Sequence, residues 1–107
     1  MDKIVTSKTP HLDLHGEIES MVKVLVDEFI HDNVKMKNNV IIIIHGKSTN
    51  ILTKKVHEVL KENKNVEDFK VNNWNVGETI VYLKIWHFFN FVVYLWALRN
   101  GGIENYE

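Results

Sequence analysis

Apolar and polar residues recur along the chain in rhythms that separate strands from helices. Leu12-Asp13-Leu14-His15 alternates and stops at Gly16, which predicts a short strand and a turn. Pro10 fixes an extended approach to it from a polar leader, residues 1–10. From Glu17 onward Ile18, Met21, Val22, Leu25 and Phe29 recur at three- and four-residue spacing, so a helix is expected over about 17–35 with that stripe buried. Lys35 to Asn39 breaks the pattern. Val40-Ile41-Ile42-Ile43-Ile44 then forms an unbroken β-branched run, the signature of a strand covered on both faces. His45-Gly46-Lys47-Ser48-Thr49-Asn50 reads as a loop, with Ser48 or Thr49 placed to cap a second helix that carries Leu52, Val56, Val59 and Leu60 inward and ends near Asn63. Val66 to Asn72, the turn residues Asn73 to Gly77, and Glu78 to Lys84 read as a hairpin.

Together these elements give an α/β chain of order βαβαββ. Right-handed crossovers would place both helices on one face of a mixed four-stranded sheet, making a two-layer sandwich. The domain proper is expected over residues 11–84. Residues 85–107 add an apolar, aromatic segment with a polar end, in which only His87 and Asn90 interrupt the run from Ile85 to Leu98. That run is shorter than the roughly 20 residues needed to cross a bilayer, so no transmembrane span is expected. The favoured expectation is a helix that covers the open sheet face, or that buries residues 85–98 in a homodimer or against a protein partner. Contact with a membrane surface is the other reading.

Composition narrows the function classes. With 45% hydrophobic and 25% charged residues in 107, the chain has the make-up of one folded domain and not of a disordered one. Its net charge is −1, so any nucleic-acid site must come from local clustering of Lys, which supplies all the basic residues except Arg99. The absence of Cys excludes disulfides, thiol nucleophiles and Cys-ligated metals, and makes a reducing cytoplasm the expected setting. Met1 to Pro10 contains no apolar signal segment.

Candidate chemistry gathers at the ends of the first two strands. Asp13 and His15 lie two apart, so their side chains point the same way near a strand's carboxyl end, as an acid–base or metal-holding pair. Ligands of open α/β sheets collect at that edge, and His45 leaves the second strand there. The bland alternative is that Asp13 bonds loop amides while His15 packs as a neutral imidazole. Gly46 permits close backbone approach, and the second helix would present free N–H groups beside Lys47, Lys54 and Lys55, a phosphate cradle. Against this stands an ordinary capped helix with a solvated Lys face. Gly46-Lys47-Ser48 lacks the upstream glycine of a P-loop, so nucleotide triphosphate hydrolysis is not expected. His31 and His57 are expected at the surface, and no histidine spacing suits a dedicated zinc site. Trp74 would stack on a base if exposed, but packing in the hairpin is the favoured expectation.

Leu12-Asp13-Leu14-His15-Gly16, Ile41-Ile42-Ile43-Ile44-His45-Gly46-Lys47-Ser48-Thr49 and Gly77-Glu78-Thr79-Ile80-Val81-Tyr82-Leu83 resemble, in order and spacing, the signature stretches of the Smr (small MutS-related) domain family. The resemblance covers about residues 11–84. It implies a fold similar to the C-terminal domain of translation initiation factor 3, nucleic-acid binding and, in several members, DNA nicking or RNA cleavage. Asp13 and His15 match the family's Leu-Asp-x-His pair, which is implicated in cleavage. His45 and Gly46 match the start of its His-Gly-x-Gly loop. Beyond them the chain departs: Ser48-Thr49-Asn50 stands where the family usually has Gly-Thr-Gly, and Leu52-Thr53 where it has Leu-Arg, with Lys54 one position on. Asn50 can still adopt a left-handed backbone, but the missing Arg removes a bidentate phosphate clamp.

The function expected on these grounds is nucleic-acid binding with endonuclease activity on RNA or DNA. Asp13 would orient a hydrated Mg²⁺ or a water, with His15 or His45 as general acid or base. Gly46, Lys47, Ser48, Thr49, Asn50, Lys54 and Lys55 would hold the phosphate backbone. RNA is placed slightly ahead of DNA, with ribosome association, from the family's ties to ribosome-associated proteins. Two other readings stay open: a non-catalytic RNA- or ribosome-binding module, and a protein-interaction or membrane-peripheral adaptor acting through the C-terminal segment.

Overall fold

The structure, a computed structural model, describes residues 5–47, 50–84 and 87–100, with side chains in the last stretch described from residue 92. In chain order the elements are β1 (His11–Asp13), α1 (Glu19–Lys35), β2 (Val40–Ile44), α2 (Ile51–Glu62), β3 (Val66–Asn72), β4 (Asn75–Leu83) and α3 (His87–Arg99). The sheet order is β1-β2-β4-β3. β1 runs parallel to β2, while β4 runs antiparallel to both β2 and β3. It follows that β3 is parallel to β2, with β4 inserted between them. Both helical crossovers therefore step across the sheet in the same direction, and their common hand puts α1 and α2 on one face. The mixed two-layer architecture read from the sequence is the one formed.

β2 is central because it is apolar throughout. Ile41 and Ile43 point into the helix-facing core, with Leu14, Val81 and Leu83 from neighbouring strands and Val56, Val59 and Leu60 from α2. Val40 and Ile42, pointing the other way, are also shut from solvent, as is Ile80 opposite Ile42. The strand is thus covered on both faces, as an unbroken β-branched run requires. On α2 the buried residues are the four expected, Leu52, Val56, Val59 and Leu60. On α1 the stripe is rotated: Val22, Val26, Ile30 and Asn33 are buried, whereas Ile18 and Met21 are exposed. Leu25 and Phe29 stay at the margin of the core. Several apolar residues on adjacent rows let the pattern fit two orientations, and packing against α2 selects one.

Other boundaries shift for local reasons. The expected five-residue turn between β3 and β4 is shorter, because β4 already begins at Asn75 and pairs it with Asn72. Ser48 and Thr49, expected to cap α2, lie outside the described residues. The cap position is Asn50, in right-handed backbone geometry and without a side-chain capping bond, so the left-handed backbone open to it is not used.

The C-terminal segment does form a helix, α3, but residues 92–98 do not cover the sheet. Val92, Val93, Tyr94, Leu95, Trp96 and Leu98 are exposed around its circumference. A helix apolar on every side has no single face to lay on a sheet. Among the described residues no helix is long and apolar enough to cross a membrane.

Because Ile43 is fully buried, Ile43→Ala is expected to lower unfolding stability by about 3–4 kcal/mol, through lost transfer energy and the cavity left behind. Urea denaturation followed by circular dichroism checks this, and a loss below about 1 kcal/mol would mean that the core closes over the gap.

Candidate functional site

Parallel pairing of β1 with β2 brings the two carboxyl ends together: Asp13 sits opposite Ile44, and the Leu14 amide donates to the Ile44 carbonyl at 2.7 Å. The chain then turns away at Gly16 and Gly46, both at positive φ (81° and 86°), a conformation glycine adopts without a Cβ penalty. Between the two exits lies an open cleft of about 660 Å³, lined by His15, Glu17, Glu19, Gly46, Lys47 and Ile51 among others.

Asp13 and His15 meet as the spacing predicts. His15 Nδ1 lies 2.8 Å from Asp13 Oδ1, and the same oxygen accepts the His15 amide at 3.1 Å. The ring bond and then the amide bond hold the Asp13 carboxyl below its ordinary pKa. With Nδ1 engaged by a carboxylate, the imidazole carries its proton there and presents Nε2 outward as an acceptor. Both side chains are well exposed, at 54% for Asp13 and 71% for His15. The pair is therefore neither a buried ion pair nor a packed turn.

His45 is placed differently from the expectation. It borders the cleft but is only 3% exposed, and both ring nitrogens are engaged. Nε2 is hydrogen-bonded to Thr79 Oγ1 at 2.8 Å and Nδ1 to Thr53 Oγ1 at 2.8 Å, with the Gly46 carbonyl 3.2 Å from Nδ1. In this arrangement no ring nitrogen faces a substrate. Thr79, itself fully buried, also meets His57 Nε2 at 2.9 Å. His57, expected at the surface, is instead half-buried with its ring 5.0 Å from that of Phe69. Burial, then the neighbouring His45 and Lys61, push its pKa down. The expectation failed because α2 tilts that side chain over the sheet, which its spacing from Val56 does not reveal. Thr53, Thr79 and His57 are the positioning residues that sequence reading missed. Thr79 stood inside a quoted stretch, but a hydroxyl in a strand announces no partner.

The expected phosphate ligands divide. Gly46 and Lys47 line the cleft. The Gly46 amide, however, donates to the Gly77 carbonyl at 3.0 Å, beside the His45 amide at 2.9 Å, so it is not offered to a ligand. A Cβ on Gly77 would come within 3.1 Å of Lys47 Cγ, which lies across β4 at this point and would have to shift by a few tenths of an ångström. Ile51 and Leu52, at the start of α2, border the cleft with amides that precede the first helical bond, Lys54 to Asn50. Asn50 and Lys54 are exposed and do not line the cleft, and Lys55 pairs with Glu58 at 3.4 Å. Among the described residues no three Asp, Glu, His or Cys side chains converge to hold a metal ion. A Mg²⁺ would be held by Asp13 in the expected scheme, with Glu17 and Glu19 the other carboxylates beside the cleft.

Comparison with known proteins agrees with the fold. The Smr domain profile matches residues 12–84. The chain is 40% identical over 79 residues to the endonuclease MutS2 of Ligilactobacillus salivarius and 36% identical over 77 residues to that of Brevibacillus brevis, covering 71% and 68% of this chain. It spans only about 10% of the length of either relative. Among solved structures it resembles the Smr domain of Thermus thermophilus MutS2, with a TM-score of 0.68 and 25% identity over 71% of this chain and 99% of that one. It also shares the fold of YdaL, a stand-alone small MutS-related protein from Escherichia coli, with a TM-score of 0.67 and 23% identity over 73% of this chain and 69% of that one.

Two outcomes follow from the buried network. Thr79→Val keeps the shape but strips both histidines of a shared partner, and is expected to cost about 1–3 kcal/mol in chemical denaturation. A neutral result would mean that the hydroxyl is dispensable. The depressed His57 pKa acts in a defined direction: as pH falls through the ordinary imidazole value of about 6.5, the unfolded chain takes up a proton before the folded one, and stability drops. Melting temperature should fall between about pH 7 and pH 5.5, and His57→Gln should flatten that slope; an unchanged slope would assign it to other groups.

Proposed function

The chain belongs to the Smr domain family, and from that premise we propose that it binds nucleic acid in the cleft between β1, β2 and the start of α2 and cleaves a phosphodiester bond there. One observation carries the reading: a carboxylate-held imidazole, Asp13–His15, stands exposed on one wall of a cleft whose other wall carries Lys47 and the first residues of α2, Ile51 and Leu52. His15 Nε2 takes the proton from the attacking oxygen, a water or, on RNA, the 2′-hydroxyl of the preceding sugar; as the new P–O bond forms, the P–O bond to the leaving sugar oxygen breaks, and that oxygen takes up a proton from solvent. Asp13 fixes the ring and stabilises the imidazolium that results. Lys47 and the amides at the α2 terminus face the phosphate, where negative charge builds as the nucleophile adds. His45 does not touch the phosphate in this scheme. Through Thr53 and Thr79 it positions the loop that carries Lys47.

RNA is placed ahead of DNA because the folded domain offers no basic helix for a duplex groove. The Lys residues of α2 are interleaved with Glu58 and Glu62, and Lys23 on α1 is paired with Asp27 at 2.9 Å. A second reading, binding without cutting, is favoured by the engagement of the His45 ring and the Gly46 amide within the fold, which leaves fewer groups free to stabilise a transition state.

Purified protein incubated with end-labelled single-stranded RNA and with supercoiled plasmid, in Mg²⁺ or in EDTA, is expected to cut. Asp13→Ala and His15→Ala should lose about 10²–10⁴-fold in cleavage rate while retaining binding. Cleavage that persists in His15→Ala would overturn the assignment of the base, and bound but uncut nucleic acid in the unaltered protein would establish the second reading.

A further inference from the structure

Trp74 occupies the tip of the β3–β4 turn and is 96% exposed, the opposite of the packing expected from sequence. A tryptophan ring ordinarily finds apolar cover, and this one stands on a turn that is held in place. Asn72 Oδ1 accepts the Trp74 amide at 3.0 Å, Asn72 Nδ2 donates to Glu78 at 3.1 Å, and Asn75 Oδ1 accepts the Gly77 amide at 3.0 Å. Beside the ring, on the sheet face away from the helices, opens a cavity of about 400 Å³ lined by Val5, Lys70, Asn72, Asn73, Ile80 and Tyr82. Its lining mixes a cation and two side-chain amides with apolar groups, and so is not the continuous apolar wall that a protein hot spot requires.

The turn also lies at the sheet edge that carries the phosphate cleft. Crossing that edge, Asp13 and His15 end β1, Gly46 and Lys47 follow β2, and Lys47 lies over Gly77 on β4, two residues from Asn75 and so next to the turn. With neighbouring strands about 4.8 Å apart, the whole edge from β1 to β3 spans about 14 Å. A phosphate held at Lys47 and the Trp74 ring would lie within a few nucleotides of each other along this edge.

We propose that Trp74 is a stacking platform for an unpaired base of a single-stranded nucleic acid whose phosphate sits in the cleft, with Lys70 and the Asn72 and Asn73 amides beside the flipped-out base. This rests on the nucleic-acid reading above and adds to it a preference for single strands: stacking on an aromatic face is open to any unpaired base, while duplex bases are already stacked on each other.

The test is fluorescence anisotropy with a labelled, unstructured RNA oligonucleotide and a blunt RNA duplex of the same length, on the full chain. Trp74→Ala is expected to weaken single-strand binding about tenfold, Trp74→Phe to restore most of it, and duplex binding to change little. Lys47→Ala should weaken both ligands alike. If Trp74→Ala binds the single strand as the unaltered protein does while Lys47→Ala loses affinity, stacking is overturned, the phosphate reading stands, and the ring is left for a protein partner. If the unaltered protein binds neither ligand, both readings fall.

Discussion

The amides of His45 and Gly46 both donate to one acceptor, the Gly77 carbonyl, and the loop that leaves β2 is fastened to β4 by that shared bond. The β2 side of the candidate site inherits its position from this contact. It turns the backbone at Gly46 into positive φ, drops the His45 ring into the interior and lays Lys47 across β4 where Gly77 has no side chain. A backbone pair on a single oxygen resists drift better than side-chain contacts of similar strength, because neither amide can move without losing its acceptor in a partly buried place.

Beneath that loop, Thr53, His45, Thr79 and His57 form one connected set of side-chain bonds, and among the described residues no buried side-chain polar atom lacks a partner. Neutral imidazoles suit this network, since each offers one donor and one acceptor to hydroxyls that can be both. Burying two histidines 6.0 Å apart is tolerable only while at least one remains uncharged, which is consistent with the direction of the His57 shift. The contrast with His15 is instructive. The same residue type past the end of the neighbouring strand stays in solvent with a carboxylate on one nitrogen.

Among the described residues, the exposed Trp and Tyr side chains stand in two places: Trp74 on the hairpin tip, and Tyr94 and Trp96 on α3. They differ in physical character. The hairpin ring stands on a turn held by the Asn72 and Asn75 side chains, whereas residues 92–98 are apolar around the helix circumference.

Strand and helix identities, the covered central strand and the two-layer class were legible in the sequence because hydrophobic periodicity is a local signal. Val40–Ile44 could bury both faces only at the centre of a sheet, and Leu52, Val56, Val59 and Leu60 could share only one helix face. The Asp13–His15 pair was legible in part: the spacing put both residues at the end of β1, but His15 lies past the strand and meets Asp13 through the turn. Tertiary structure alone decided the rest. Which stripe of α1 turned inward, that His45 and His57 would converge on Thr79 from loop and helix, that the Gly46 amide would be taken by Gly77, and that Trp74 would stand free all depend on partners distant in the chain. Composition and spacing fix which side a residue faces within its own element; what it meets there is set by how the elements pack.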